Sequence, residues 1–209
     1  MKRYDIITEA DARTTEIGTS VSLAPGGHIT PLARDTLRAR KITVIGDGID
    51  TDLASLAPIA DIRRVGIGSD HSGVILKSAI REALRGRGIA VDDIGTHSLD
   101  PVDYPDIAAQ VARLVARHEV DAGIVIDGAG LGSTIAANKI DGVRAAMCTD
   151  QTLARYAREH NGANVLALGA TLISTEVAQA VVQTFLTTPM REARYLARLA
   201  KINNLERTR

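Results

Sequence analysis

The sequence predicts an α/β fold built on a parallel five-stranded sheet, and three observations predict it. From residue 64 onward, short β-branched runs alternate with longer stretches at helical spacing. The connections between those runs are long enough for right-handed helical crossovers rather than hairpins. The core material is aliphatic: 45% of residues are hydrophobic, against four Tyr, one Phe and no Trp. Such a core suits strands covered on both faces by helices.

The elements follow in order. Val65-Gly66-Ile67-Gly68 reads as the first strand. Residues 73–87 read as a helix, with Ile75, Leu76, Ala79, Ile80 and Leu84 on one face and Gly88 at its C-cap. Ile89–Ile94 is a second strand. Pro105 sits in the first turn of a helix that runs to about Arg117. Gly123-Ile124-Val125-Ile126 is a third, fully apolar strand, followed at once by the glycine-rich stretch Asp127-Gly128-Ala129-Gly130-Leu131-Gly132. A helix over about Ser133–Lys139 leads to a fourth strand, Gly142–Met147. Asp150 caps a helix to about Glu159, Asn164–Leu168 is the fifth strand, and Ser174 caps a helix to about Leu186. A last helix covers about Arg191–Asn203.

Residues 1–46 form an N-terminal extension of different character. Pro25-Gly26-Gly27 reads as a turn, Thr30-Pro31 starts a helix to Arg40, and Ile42–Ile45 is a strand. The segment is short for a core of its own and is expected to dock on another surface. Residues 47–62 read as a linker, and 63–209 as the main domain.

Bulk numbers restrict the function. Lys plus Arg and Asp plus Glu are 25 each, so overall charge favours neither nucleic acid nor a membrane. Few rings argue against base stacking. The single cysteine, Cys148, suits a reducing compartment and reads as a small core residue. No apolar run approaches the ~18 residues of a membrane span, and the N-terminus lacks a signal-peptide core. The expectation is a cytoplasmic protein.

Ligands in open parallel sheets bind beside the carboxyl ends of the strands. The stretch Gly68-Ser69-Asp70-His71-Ser72-Gly73 puts a carboxylate beside an imidazole, or simply caps a helix through Asp70. The glycines of the loop after Asp127 allow backbone N–H groups to converge on an anion, or merely make a tight turn. The pair His160-Asn161, before the fifth strand, can exchange protons with a sugar oxygen or close a helix. Arg194 and Arg198 share one helix face, where they can grip a phosphate or meet solvent.

Together these blocks resemble the ribose-5-phosphate isomerase B family, which includes the galactose-6-phosphate isomerase subunits. The resemblance spans about residues 64–204. It rests on Gly68–Gly73, Asp103-Tyr104-Pro105, Gly128–Lys139, Arg158-Glu159-His160-Asn161 and Asn164-Val165-Leu166-Ala167-Leu168-Gly169. It implies a doubly wound, Rossmann-like α/β/α sandwich. It also implies homodimers or tetramers with shared active sites, no metal or cofactor, and aldose–ketose interconversion of sugar phosphates through an enediolate.

By the same resemblance Asp70 holds sugar hydroxyls, while His71, Arg194 and Arg198 bind phosphate. Tyr104 lines the sugar site. The N–H groups of Gly128, Ala129, Gly130, Leu131 and Gly132 stabilise the enediolate. His160 assists ring opening and Asn161 binds sugar. The chain departs from the family at the base. Most members have cysteine at Asp127, and a subgroup has glutamate at Ser133. Asp127 is therefore expected to act as the base. The competing expectation is a non-catalytic sugar-phosphate binder or a partner subunit. Residues 1–46 are similar to leader segments of enzymes of bacterial microcompartments, or serve as an oligomerisation arm.

Overall fold

The computed structural model of the chain describes residues 2–46, 56–190 and 192–206. The chain divides into two units, Met1–Ser55 and Leu56–Arg209.

The first unit runs β1 (Arg3–Ile7), α1 (Glu9–Thr14), β2 (Ser20–Ile29), α2 (Pro31–Ala39), β3 (Thr43–Gly46). Its strands lie in the order β1-β2-β3, all parallel. Thr8 and Asp11 form a capping box at α1, and Thr30 caps α2 with Pro31 in the first turn. Ile7, Ala12, Val21, Ala33, Leu37 and Ile42 form one buried cluster. Both helices contribute to it, so both cover the same sheet face.

Two expectations change here. Pro25-Gly26-Gly27 is not a turn between elements but lies inside β2, where the register against β1 shifts between Tyr4 and Ile6. The irregularity accommodates a Pro that a regular ladder would not. The segment also has a core of its own, and β1 and α1 add to the predicted helix and strand. Of the predicted linker, residues 47–55 lie outside the described residues.

The second unit contains β4 (Arg64–Ser69), α3 (Val74–Gly86), β5 (Ala90–Asp93), α4 (Tyr104–Ala116), β6 (Ala122–Asp127), α5 (Leu131–Ala137), β7 (Ala145–Met147), α6 (Gln151–Glu159), β8 (Val165–Gly169), α7 (Thr175–Thr187) and α8 (Ala193–Glu206). The strand order is β5-β4-β6-β8-β7. The five strands are parallel throughout, as predicted. Alternate strand residues feed two cores. Ile67, Ile124, Ile126 and Leu168 pack with Leu76, Ile80, Val181 and Phe185 of α3 and α7. Val125 and Ala167 pack with Val111 and Ala112 of α4 and Ala137 of α5. The result is an α/β/α sandwich.

The central strand β6 is buried at every residue. The chain leaves β4 toward one sheet edge and returns to β6 on the other side. A crevice therefore opens at the carboxyl ends of β4 and β6. β7 is shorter than predicted: Asn138 brackets Ala145, donating to its carbonyl at 2.9 Å and accepting from its N–H at 2.8 Å, and ladder pairing starts there.

A buried ion network fixes one wall of the crevice. Lys77, 2% exposed, donates to Asp93 at 2.5 Å and to the Thr96 carbonyl at 2.7 Å. Arg81 donates to the other Asp93 oxygen at 2.7 Å. The loop so held exchanges two backbone bonds with Ser69 at the end of β4. Burial alone would raise the Asp93 carboxyl, but Lys77 and then Arg81 outweigh it and hold it below the usual range. A depressed carboxyl stabilises the fold above its ordinary value near ~3.9, and that contribution is lost as pH falls through the folded value. We expect Asp93→Asn, which strands Lys77, to cost about 3–5 kcal/mol at neutral pH. Urea unfolding checks this, and the variant should lose less further stability than the parent on acidification.

Candidate active site

Two loops meet at the crevice. After β4, Asp70 turns its carboxylate back onto the chain: Oδ1 accepts from the Ser72 and Gly73 N–H groups at 2.9 and 3.3 Å and from the Ser72 hydroxyl at 2.5 Å. This is the capping geometry anticipated for Asp70, and it leaves Oδ2 for other partners. The Asp70 N–H donates to the Ile126 carbonyl, tying this loop to β6. His71 accepts from the Val102 N–H through Nδ1 at 3.4 Å, so its Nε2 edge is the one available to a ligand.

The second loop follows β6. Asp127, 4% exposed, accepts three backbone bonds. Oδ1 takes the N–H groups of Ala129, at 2.8 Å, and Gly130, and Oδ2 takes that of Ser133 at 2.8 Å. A carboxylate has about four lone-pair positions, so three are filled and one on Oδ2 is left. Gly130 sits at φ 76°, which a residue with a Cβ adopts only with strain. Ser72 lies beside Gly128, so the two loops adjoin. The loop is also pinned to the end of β8, since Thr171 donates its N–H and its hydroxyl to the Gly128 carbonyl at 3.0 and 2.7 Å.

Tyr104, the first residue of α4, packs against the first turn of α5. A Cβ on Gly132 would come within 2.7 Å of the hydroxyl end of the Tyr104 ring, so an approach this close needs glycine there. With the Ala129, Gly130 and Ser133 N–H groups engaged by Asp127, the first-turn amides of Leu131 and Gly132 are the donors of this stretch that a helix start leaves unpaired.

The other predicted residues gather elsewhere. Gly123, near the start of β6, donates to the carbonyl of Asn164, just before β8, whereas Asp127 pairs with Gly169 at the far end. Four residues of strand separate those levels, about 13 Å. His160 and Asn161 close α6 at the amino-terminal edge. The His160 ring is stacked between Tyr156, at 4.5 Å, and Tyr195, at 4.3 Å. The Arg194 and Arg198 guanidiniums lie over Tyr195 at 4.6 and 5.8 Å. Arg194 also pairs with Glu192 at 2.6 Å. Asn161 donates to the Tyr156 carbonyl, a helix-closing bond.

The His160-Asn161 turn, expected among the ligand sites at the carboxyl ends of the strands, therefore lies at the amino end instead. A turn that precedes a parallel strand lies at its amino end. Within one chain, Asp70, His71, Tyr104, Asp127 and Gly128–Ser133 are together. His160, Asn161, Arg194 and Arg198 form a second cluster at the opposite edge.

Residues 65–202 match the ribose/galactose isomerase family. The chain belongs to that family. It is 41% identical over 148 residues to ribose-5-phosphate isomerase B of Escherichia coli, covering 71% of this chain and 99% of that one. It is also 37% identical over 126 residues to D-erythrulose-4-phosphate isomerase of Pectobacterium atrosepticum, covering 58% and 81%. The solved ribose-5-phosphate isomerase B of Clostridium thermocellum superimposes with a TM-score of 0.68 at 47% identity, over 69% of this chain and 98% of that chain. The chain is thus an isomerase in class, and its first unit lies outside the family match.

Several residues of this isomerase's two clusters escaped the sequence reading. Ser72 stands in the loop already singled out. Tyr156 is one helical turn before His160, a spacing that could have suggested the ring contact. Tyr195 sits between the two arginines on the last helix. Cys148 is 1% exposed, and burial together with the Asp150 charge pushes its thiol up to about 12, so it is inert at neutral pH. Among the described residues no group of three or more His, Cys, Asp or Glu is arranged to hold a metal, and no helix is long and apolar enough to cross a membrane.

Proposed function

We propose that the protein is a cofactor-independent aldose–ketose isomerase of a phosphorylated sugar, of the ribose 5-phosphate/ribulose 5-phosphate type or a related tetrose, pentose or hexose phosphate. The observation that carries the reading is a buried carboxylate, Asp127, fixed in orientation at the end of the central strand, where the family resemblance places the base. The remaining Oδ2 lone pair would take the proton from the carbon next to the carbonyl and return it to the neighbouring carbon through an enediolate. The Leu131 and Gly132 amides, at the helix start, would meet the developing oxyanion. Asp70 and Tyr104 would contact the sugar.

The second cluster supplies what this end lacks. Arg194 and Arg198 would take the phosphate with His71, His160 would assist ring opening, and Asn161 would bind sugar. Because those groups sit at opposite edges of one sheet, a complete site needs two copies of the chain, in a homodimer or tetramer. One observation favours a second reading, a non-catalytic sugar-phosphate binder or partner subunit: Asp127 already accepts three backbone bonds.

The first unit, with its own core, is read as a docking module, for microcompartment shell proteins or for assembly of the isomerase itself. Pull-down of shell proteins by the full chain but not by one lacking residues 1–46 is the expected result. Equal capture by both would end the docking idea.

Deuterium uptake from solvent into a panel of sugar phosphates separates the two readings of the site. The isomerase incorporates deuterium beside the carbonyl of its substrate, and Asp127→Asn lowers turnover by about 10²- to 10⁴-fold. Full turnover in Asp127→Asn would falsify the base assignment, and binding without exchange by the parent chain would support the binder. Sharing between copies has its own test. Co-expressed Asp127→Asn and Arg198→Ala chains, each inactive alone, should recover up to about a quarter of the parent activity in the mixture, since about half the dimers are hybrids and each hybrid keeps one intact site of two. No recovery in mixed oligomers would mean that each site is built within one chain.

A further inference from the structure

Arg158 is fully buried on α6, at 0% exposure. Its Nη1 donates to the Ala163 carbonyl at 2.9 Å and its Nη2 to the Ile59 carbonyl at 2.7 Å. The guanidinium lies 5.1 Å from the Phe185 ring, and its Nε has no partner. Burial, with Arg144 adding repulsion, lowers the group to about 10, so it is still charged at neutral pH. A buried cation whose hydrogen-bond acceptors are two carbonyls depends on each of them, because an acceptor lost in the interior is not replaced by water.

The two carbonyls come from different places. The Ala163 carbonyl belongs to the turn that carries His160 and Asn161. That turn wraps around Arg158: Gly162 donates to the Arg158 carbonyl and Ala163 to that of Ala157. The Ile59 carbonyl belongs to the stretch ahead of β4, which precedes the matched residues 65–202. Pro58 is buried there, and Ile62 packs against the core under α3 and α7. The approach to the sheet is thus fastened rather than loose.

We propose that Arg158 is a positioning residue that links this connector, through Ile59, to the His160–Asn161 turn, so that the second half-site takes its geometry in part from a segment outside the family's matched region. The consequence for catalysis rests on the isomerase reading. The mechanical link does not.

Hydrogen–deuterium exchange on the full chain, read over residues 57–62 and 160–164, tests the link without substrate. Arg158→Met removes the donors, and Pro58→Gly loosens the connector while leaving every half-site residue in place. Both variants are expected to raise exchange in both segments together, by about tenfold, the scale of one lost buried hydrogen bond. Arg158→Lys, which reaches one carbonyl at a time, should recover part of the protection. In kinetics, Pro58→Gly should raise KM for the sugar phosphate more than it lowers kcat. Exchange that rises in the connector alone, with the turn as in the parent, overturns the proposal whatever the turnover. Linked exchange in a chain that turns over no sugar phosphate leaves the link standing and removes the isomerase reading instead.

Discussion

Every strand of the catalytic unit runs the same way, and that polarity decides which residues can meet. Segments that follow strands collect at one edge of the sheet, and segments that precede them collect at the other. Asp70, Tyr104 and Asp127 belong to the first set. His160 and Asn161 belong to the second, with Arg194 and Arg198 drawn to the same edge by the Tyr195–His160 stack. No side-chain rotation bridges about 13 Å of buried strand. A reaction that used both sets would therefore need an assembly, because the sheet holds the two sets apart within one chain.

At the carboxyl edge the decisive contact is the Asp127 carboxylate with its own loop. A glycine-rich turn into a helix presents N–H groups that would otherwise seek an outside anion. Here three of them are satisfied from within. The exchange cuts both ways. It orients the carboxylate firmly, as a positioned base requires, and it withdraws donors from any substrate oxyanion. A cysteine at the same place, as in most of the family, would leave those amides to the ligand. On the proposed reading, Asp127 would therefore change both the base and the oxyanion site relative to a cysteine, through one residue.

Much of the fold could be read from local signals because local physics produces them. Asp150 and Ser174 cap their helices through side-chain acceptors, and Gly88 ends α3 with positive φ. The apolar run of β6 announced a strand covered on both faces. Other features were out of reach for equally physical reasons. Lys77 and Asp93 are joined only by the packing of α3 against β5. Arg158 and Ile59 are separated by nearly half the chain. β1 fully buries only Ile7, with Tyr4 half-buried against the same cluster, so its pattern carried little strand signal. The capping reading of Asp70 and the helix-closing reading of Asn161 both describe bonds that exist, yet capping occupies only part of what each group can do.

The two edges of the sheet carry different candidate groups. Carboxylates stand at its carboxyl edge, in Asp70 and Asp127, and guanidiniums at its amino edge, in Arg194 and Arg198. If two copies meet as proposed, the Arg194 and Arg198 guanidiniums of one copy would face the Asp70 and Asp127 carboxylates of the other. A phosphorylated sugar held across such a junction would have its dianionic end on the arginines and its carbon chain against the carboxylates. On the proposed reading the anion would then lie away from the Asp127 carboxylate, and the two ends of the site would orient the substrate by charge.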